Sequence, residues 1–268
     1  MANARPIIES DDEFTYAGVR YITSTSDYSK RTGPDGVILL KPKSWIEMYC
    51  DLVERERVER VLELGVWQGG MSILLPSFEP ALRYMGVEHS QATAPIMAAI
   101  SALPQIKDRV RIDFETSQSD PSLPARIAAH FGSSELDLVI DDASHRYIES
   151  RRSFELFFPM LRPGAAYIVE DWAWAHWQNY RLDRHFASQP SLSNLLFEVS
   201  ILAASEPEMV ASVEVRSAMF IVRRGAAEIK PGWRLSESLR FNGQSSRLPL
   251  LKPSIRYLIQ RKLGLAKG

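Results

Sequence analysis

From about residue 43 onward, short apolar runs alternate with stretches of helical spacing. Between residues 43 and 57, Trp45, Met48, Tyr49, Leu52 and Glu56 recur at three- and four-residue intervals with the apolar members on one face, which predicts a helix laid against a sheet. Strands are expected at 60–64, 83–88, 109–114, 136–141 and 165–170, and helices at 69–78, 91–102, 124–131 and 145–161; Leu123, Ile127 and Phe131 form one apolar stripe. Strands separated by helices imply βαβ units with right-handed crossovers and a mainly parallel sheet.

Beyond the fifth strand comes an aromatic run, Trp172-Ala173-Trp174-Ala175-His176-Trp177, and then a helical pattern through Leu192, Leu195, Leu196, Val199 and Leu202. Segments 213–216 and 219–223 read as an antiparallel pair that completes seven strands. The expected fold is therefore α/β: a Rossmann-like, doubly wound, mainly parallel seven-stranded sheet with an antiparallel C-terminal pair. Residues 1–42 mix Ser, Thr, Asp, Gly and Pro and read as an irregular arm or lid, with a turn at Thr32-Gly33-Pro34-Asp35-Gly36. The core domain spans 43–224. A basic extension, 225–268, has a weak helical pattern around Ile255, Leu258 and Leu263.

Composition narrows the function. A formal net charge of −1 over 268 residues gives no broad positive field for nucleic acid or an anionic membrane, which leaves a small neutral or modestly charged substrate as the expected partner. The single cysteine, Cys50, excludes an internal disulfide and reads as a packing residue. The acidic start at Asp11, Asp12 and Glu13 is unlike a signal peptide, and no apolar stretch is long enough to span a bilayer, so the expected location is cytoplasmic. An arm able to exchange between subunits allows a homo-oligomer.

The first strand ends in Glu63-Leu64-Gly65-Val66-Trp67-Gln68-Gly69-Gly70. An acid ahead of a glycine loop is a poor neighbour for pyrophosphate and a good one for the ammonium of a methionine moiety, whereas a dinucleotide fold uses Gly-x-Gly-x-x-Gly. The second strand ends in Glu88, placed to accept ribose hydroxyls, and the loop after the third, with Ser117 and Gln118, lies where an adenine edge would sit. The fourth strand runs into Asp141-Asp142-Ala143-Ser144-His145 and the fifth into Glu170-Asp171. Adjacent strands lie about 5 Å apart, so these acidic tips converge. Carboxylates without cysteine favour Mg²⁺ over Zn²⁺, and His145 is a candidate base for a hydroxyl that must lose its proton. Each of these residues also has an ordinary reading: Asp142, Ser144, Glu170 or Asp171 as helix caps, and His145, His89, His130 or His185 as surface or packing histidines.

The runs Ile140-Asp141-Asp142-Ala143-Ser144-His145, Leu161-Arg162-Pro163-Gly164 and Tyr167-Ile168-Val169-Glu170-Asp171 resemble the metal-dependent sugar O-methyltransferases of the macrocin and mycinamicin type and the related cephalosporin hydroxylase-like group. The resemblance covers roughly 43–171, with Ala165-Ala166 where a glycine usually follows Gly164. It implies S-adenosylmethionine (SAM) as cofactor, Mg²⁺ or a similar cation, and a hydroxylated, glycosylated acceptor. By matching position it assigns Asp142 and Asp171, with Glu170 as helper, to the metal, His145 as base, and Glu63, Gly65, Glu88 and Asp141 to the cofactor. Trp172, Trp174, His176 and Trp177 either stack on an acceptor or seal the core. A nicotinamide oxidoreductase and a non-catalytic scaffold are the competing readings.

Overall fold

The computed structural model describes residues 5–8, 10, 12–24, 31–177, 190–239, 259 and 262. The seven-stranded sheet has the order β6-β5-β4-β7-β8-β10-β9. Its strands are β4 (Arg60–Leu64), β5 (Arg83–Val87), β6 (Val110–Asp113), β7 (Leu136–Asp141), β8 (Leu161–Glu170), β9 (Val210–Val215) and β10 (Met219–Arg224). β4, β5 and β6 run parallel, and β10 is antiparallel to both β8 and β9. This is the doubly wound sheet expected from the alternation of strand and helix, closed by the expected antiparallel pair. The chain divides into two compact units, residues 1–120 with 125–138, and 121–124 with 139–268.

In the first unit, α1 (Lys43–Glu56) buries Ile46, Tyr49, Cys50, Leu52 and Val53. Tyr49 and Leu52 belong to the expected face, while Trp45 and Met48 lie beside it. Burial pushes the Cys50 thiol up to about 12, in keeping with a packing residue. Helix α2 (Gly70–Phe78) is buried along its whole length, so its sequence shows no polar face. Helix α3 (Ala94–Ser101) starts three residues later than expected, with Pro95 in its first turn, and α4 (Leu123–Phe131) follows the predicted stripe. Buried Asp137 accepts the Glu59 and Arg60 N–H groups at 3.2 and 2.8 Å and the Arg60 guanidinium at 3.1 Å, which fixes the start of β4.

The arm is more ordered than its composition suggests. β1 (Glu13–Tyr16) and β2 (Val19–Ile22) form an antiparallel hairpin, and β3 (Val37–Ile38) adds parallel to β2. The hairpin turns at Ala17 and Gly18, both left-handed at φ 49° and 79°, a two-residue geometry that suits the twist of paired strands. Phe14 and Tyr21 are register partners and stack at 4.9 Å between ring centroids. Alternation at Phe14, Tyr16, Val19 and Tyr21 carried this signal, but an alanine at a left-handed turn position concealed it.

In the second unit, α5 (Tyr147–Phe157) runs into a 3-10 turn, Phe158–Met160. It is shorter than the expected 145–161 because His145 is left-handed at φ 52°, outside helical geometry, and Pro159 ends the regular ladder. Helix α6 (Ser193–Ser205) sends Glu198 to the Tyr147 hydroxyl at 2.9 Å and to Arg151 at 3.1 Å. Arg151 also pairs with Glu155 at 2.8 Å, and Glu155 accepts the Leu235 N–H at 3.0 Å, so the short helix α7 (Leu235–Ser238) is tied to the same network. Phe154, Phe158, Tyr167 and Trp233 form the aromatic core beneath it. Ile255, Leu258 and Leu263, which carry the weak helical pattern of the C-terminal extension, lie outside the described residues. No helix among the described residues is long and apolar enough to cross a membrane.

Candidate functional site

The glycine loop lies at the end of β4 in the first unit. Gly65 and Gly69 are left-handed at φ 87° and 81°, and Trp67 between them is also left-handed at φ 47°, so the loop leaves an extended path at three positions. Glu88, 9% exposed, holds this shape: one carboxylate oxygen accepts the Val66 and Trp67 N–H groups at 3.1 and 2.8 Å, and the other accepts the Ser90 N–H at 2.8 Å. The residue expected to meet a ribose thus also organises the loop beside it. Glu63 is buried and accepts the Tyr84 hydroxyl. The loop after β6 reaches the same strand end, since the Thr116 N–H donates to the Glu88 carbonyl at 3.0 Å. Ser117 is exposed, whereas Gln118 is buried at 7% exposure.

The acidic cluster lies in the second unit. Ligand atoms of Asp142, His145 and Asp171, all half-buried, lie within 4.8 Å of one another. Two carboxylates at that separation repel, and a divalent cation between them relieves the repulsion. The donor set fits such an ion: two hard oxygens, with an imidazole able to ligate or to accept a proton. His145 and Asp171 are both left-handed, at φ 52° and 54°, a conformation that costs non-glycine residues energy and that gathers at functional positions. The Asp171 N–H is anchored on the Ala218 carbonyl at 2.6 Å. Glu170 is not in the cluster. It is the last residue of β8, 1% exposed and in register with Met219, and the left-handed turn that follows carries Asp171 into the cluster in its place.

Asp141, expected to serve the cofactor, is enclosed. It is 1% exposed and accepts the Tyr167 hydroxyl at 3.2 Å together with the Ala143 N–H. Burial, only partly offset by these donors, raises its carboxyl to about 7. Its oxygens serve the interior, where they brace the turn that leads to Asp142.

Two sets of contacts add to the sequence reading of the aromatic run and the glycine loop. Trp174 lies against His145 with ring centroids 4.6 Å apart, and Trp177 stands 6.4 Å from Trp174 with 42% exposure. His176 is held by the hydroxyls of Ser193 and Ser191 at 2.8 and 3.1 Å, which ties the aromatic run to the start of α6. The second set centres on Gln68, which is buried in the glycine loop and bonded to Thr32 of the arm.

Residues 62–172 match the methyltransferase domain family. The stretch contains both the glycine loop and the acidic cluster. Among curated proteins, the chain is 31% identical over 139 residues to mycinamicin VI 2''-O-methyltransferase of Micromonospora griseorubida, an alignment covering 47% of this chain and 30% of that protein. It is 40% identical over 78 residues to demethylmacrocin O-methyltransferase of Streptomyces fradiae, covering 29% and 18%. Among solved structures, MycE methyltransferase from the mycinamycin biosynthetic pathway, in complex with Mg and S-adenosylhomocysteine (SAH), superposes with a TM-score of 0.51 at 27% identity, covering 70% of this chain and 52% of that one. The chain therefore spans about a third of the length of the first of these curated relatives and about half that of the solved structure.

Proposed function

We propose that the chain is a SAM-dependent O-methyltransferase assisted by a divalent cation, and that it acts on a hydroxyl, of a sugar by preference, in a small natural product or glycan. The observation that carries this reading is the convergence of Asp142, His145 and Asp171 inside a methyltransferase domain. The domain match and the acid ahead of the glycine loop both favour methyl transfer over the nicotinamide alternative. The mycinamicin and macrocin relatives, and a MycE complex that contains Mg, SAH and mycinamycin VI, support this choice of acceptor class. A cytoplasmic location belongs to the same proposal.

The roles follow from residue chemistry. The glycine loop, Glu63 and Glu88, with Ser117 and Gln118 at the adjoining loop, bind the cofactor. Asp142 and Asp171 hold the cation. When bound, SAM supplies an electrophilic methyl group and the cation supplies Lewis acidity that favours the ionised form of a hydroxyl. His145 takes the proton that the acceptor hydroxyl gives up as the new O–CH₃ bond forms, and Trp174 keeps that imidazole in one orientation. Buried Asp141 braces the turn that presents Asp142.

Calorimetry should show SAH binding to the wild-type chain, and Asp142→Ala should abolish cation-dependent turnover. Equal turnover by that variant, with chelator present, would remove the cation from the mechanism.

A further inference from the structure

The N-terminal arm is joined to the glycine loop by two hydrogen bonds within the first unit, both donated by Thr32 and accepted by Gln68. The Thr32 N–H donates to the Gln68 side-chain oxygen at 2.9 Å, and the Thr32 hydroxyl donates to the Gln68 carbonyl at 2.6 Å. The same hydroxyl accepts the Ile38 N–H at 3.1 Å, so one oxygen links the arm's β3 to the loop. Thr32 is 1% exposed and Gln68 5% exposed, which places these bonds away from competing water. The arm backbone then lies directly on the start of α2: a Cβ added at Gly70 would meet the Leu39 Cβ at 2.6 Å and the Ile38 carbonyl at 2.7 Å. Glycine at position 70 is what permits this approach.

The loop needs such support. Left-handed geometry at Trp67 is disfavoured for a side chain with a Cβ, and a loop carrying it relaxes unless its surroundings hold it. Glu88 holds residues 66 and 67 from β5, and Thr32 holds residue 68 from the arm. We propose that Thr32 and Gln68 are positioning residues for the cofactor loop, so that docking of the arm and binding of SAM or SAH are thermodynamically coupled. The inference rests on the SAM-dependent reading above. Its physical basis is population: apparent affinity falls in proportion to the fraction of molecules whose loop is already in the binding form. Coupling is reciprocal, so bound cofactor must in turn hold the arm closed.

The experiment pairs SAH calorimetry with hydrogen exchange on the full chain. Thr32→Val removes the hydroxyl and leaves the Gln68 carbonyl and the Ile38 N–H without that partner; it should raise the SAH dissociation constant about tenfold. Gln68→Leu, which removes the other bond, should act in the same direction, and Thr32→Ser should restore wild-type affinity. In the wild type, saturating SAH should slow exchange of the Thr32 and Ile38 amides, an effect that fold stabilisation confined to the loop would not produce. Unchanged affinity in both Thr32→Val and Gln68→Leu, or arm amides indifferent to SAH, overturns the coupling while leaving cofactor binding intact. A wild-type chain that binds no SAH removes the methyltransferase reading and the coupling with it.

Discussion

Two carboxylate-bearing regions of the molecule use the same chemical group in opposite ways. At the end of β5, Glu88 commits both oxygens to backbone N–H groups of its own chain and so shapes the loop before any ligand arrives, while Glu63 accepts a tyrosine hydroxyl. At the ends of β7 and β8, Asp142 and Asp171 are instead gathered with an imidazole to within 4.8 Å of one another, at the cost of left-handed backbone at His145 and Asp171. The first arrangement lowers the reorganisation needed to bind a neutral or cationic organic ligand. The second concentrates negative charge, which an added cation relieves. An acidic residue at a strand end is therefore interpretable only with its donors in view.

This contrast breaks most visibly under substitution of the second region. Asp171→Asn and His145→Ala should each cut methyl transfer by about a hundred- to ten-thousandfold, the range for lost proton transfer and charge stabilisation, while SAH affinity stays within about threefold. Single-turnover kinetics beside calorimetry separates the two quantities. If SAH affinity collapsed as well, the division of labour between the regions would be wrong.

A smaller and complementary effect is expected at Glu88. Glu88→Ala leaves the Val66, Trp67 and Ser90 N–H groups without their acceptor, at about 1–3 kcal/mol for each group that stays buried, so SAH affinity should fall about ten- to a hundredfold and thermal stability should drop. Manganese titration followed by paramagnetic relaxation should show the Asp142, His145 and Asp171 cluster binding as before. Loss of manganese binding in this variant would mean that the two regions fail together.

How much of this was legible in the sequence depended on how local the determining contact is. β4 and β7 are short, mostly apolar runs with an acid at or next to the last position, and both were readable to the residue. Asp142, His145 and Asp171 were readable because strand ends and helix starts place them. The preference for Asp171 over Glu170 came from the family resemblance alone, since a single left-handed residue sets it in the structure. The interior placement of Asp141 depends on Tyr167, 26 residues away, and the Thr32 to Gln68 bond spans 36. Neither leaves a periodic trace. The hairpin of the arm was hidden by Ala17, a residue that rarely takes the turn geometry it adopts here.

The smallest expected effect sharpens the contrast by testing a third carboxyl, one committed to the interior. Burial raises Asp141 from 3.8 to about 7, so between those values the folded chain keeps a proton that the unfolded chain has lost. The folded state then binds more protons than the unfolded state, and stability contributed at this position must fall as pH rises through the window and level off above about 7. A rise of that size converts to about 4 kcal/mol, an upper bound for the whole interval. Asp141→Asn has no proton to lose and abolishes the slope. Its amide must, however, face the Tyr167 hydroxyl and the Ala143 N–H with one acceptor oxygen in place of two, which returns part of the gain. The variant should therefore be more stable than the wild type at pH 8 by about 1–2 kcal/mol and nearly equal at pH 4, measured by urea denaturation in chelator, so that no neighbouring cation keeps the carboxylate ionised. A difference independent of pH would show that Asp141 is ionised in the folded chain throughout, and would move it from the braced interior to the charged group it adjoins.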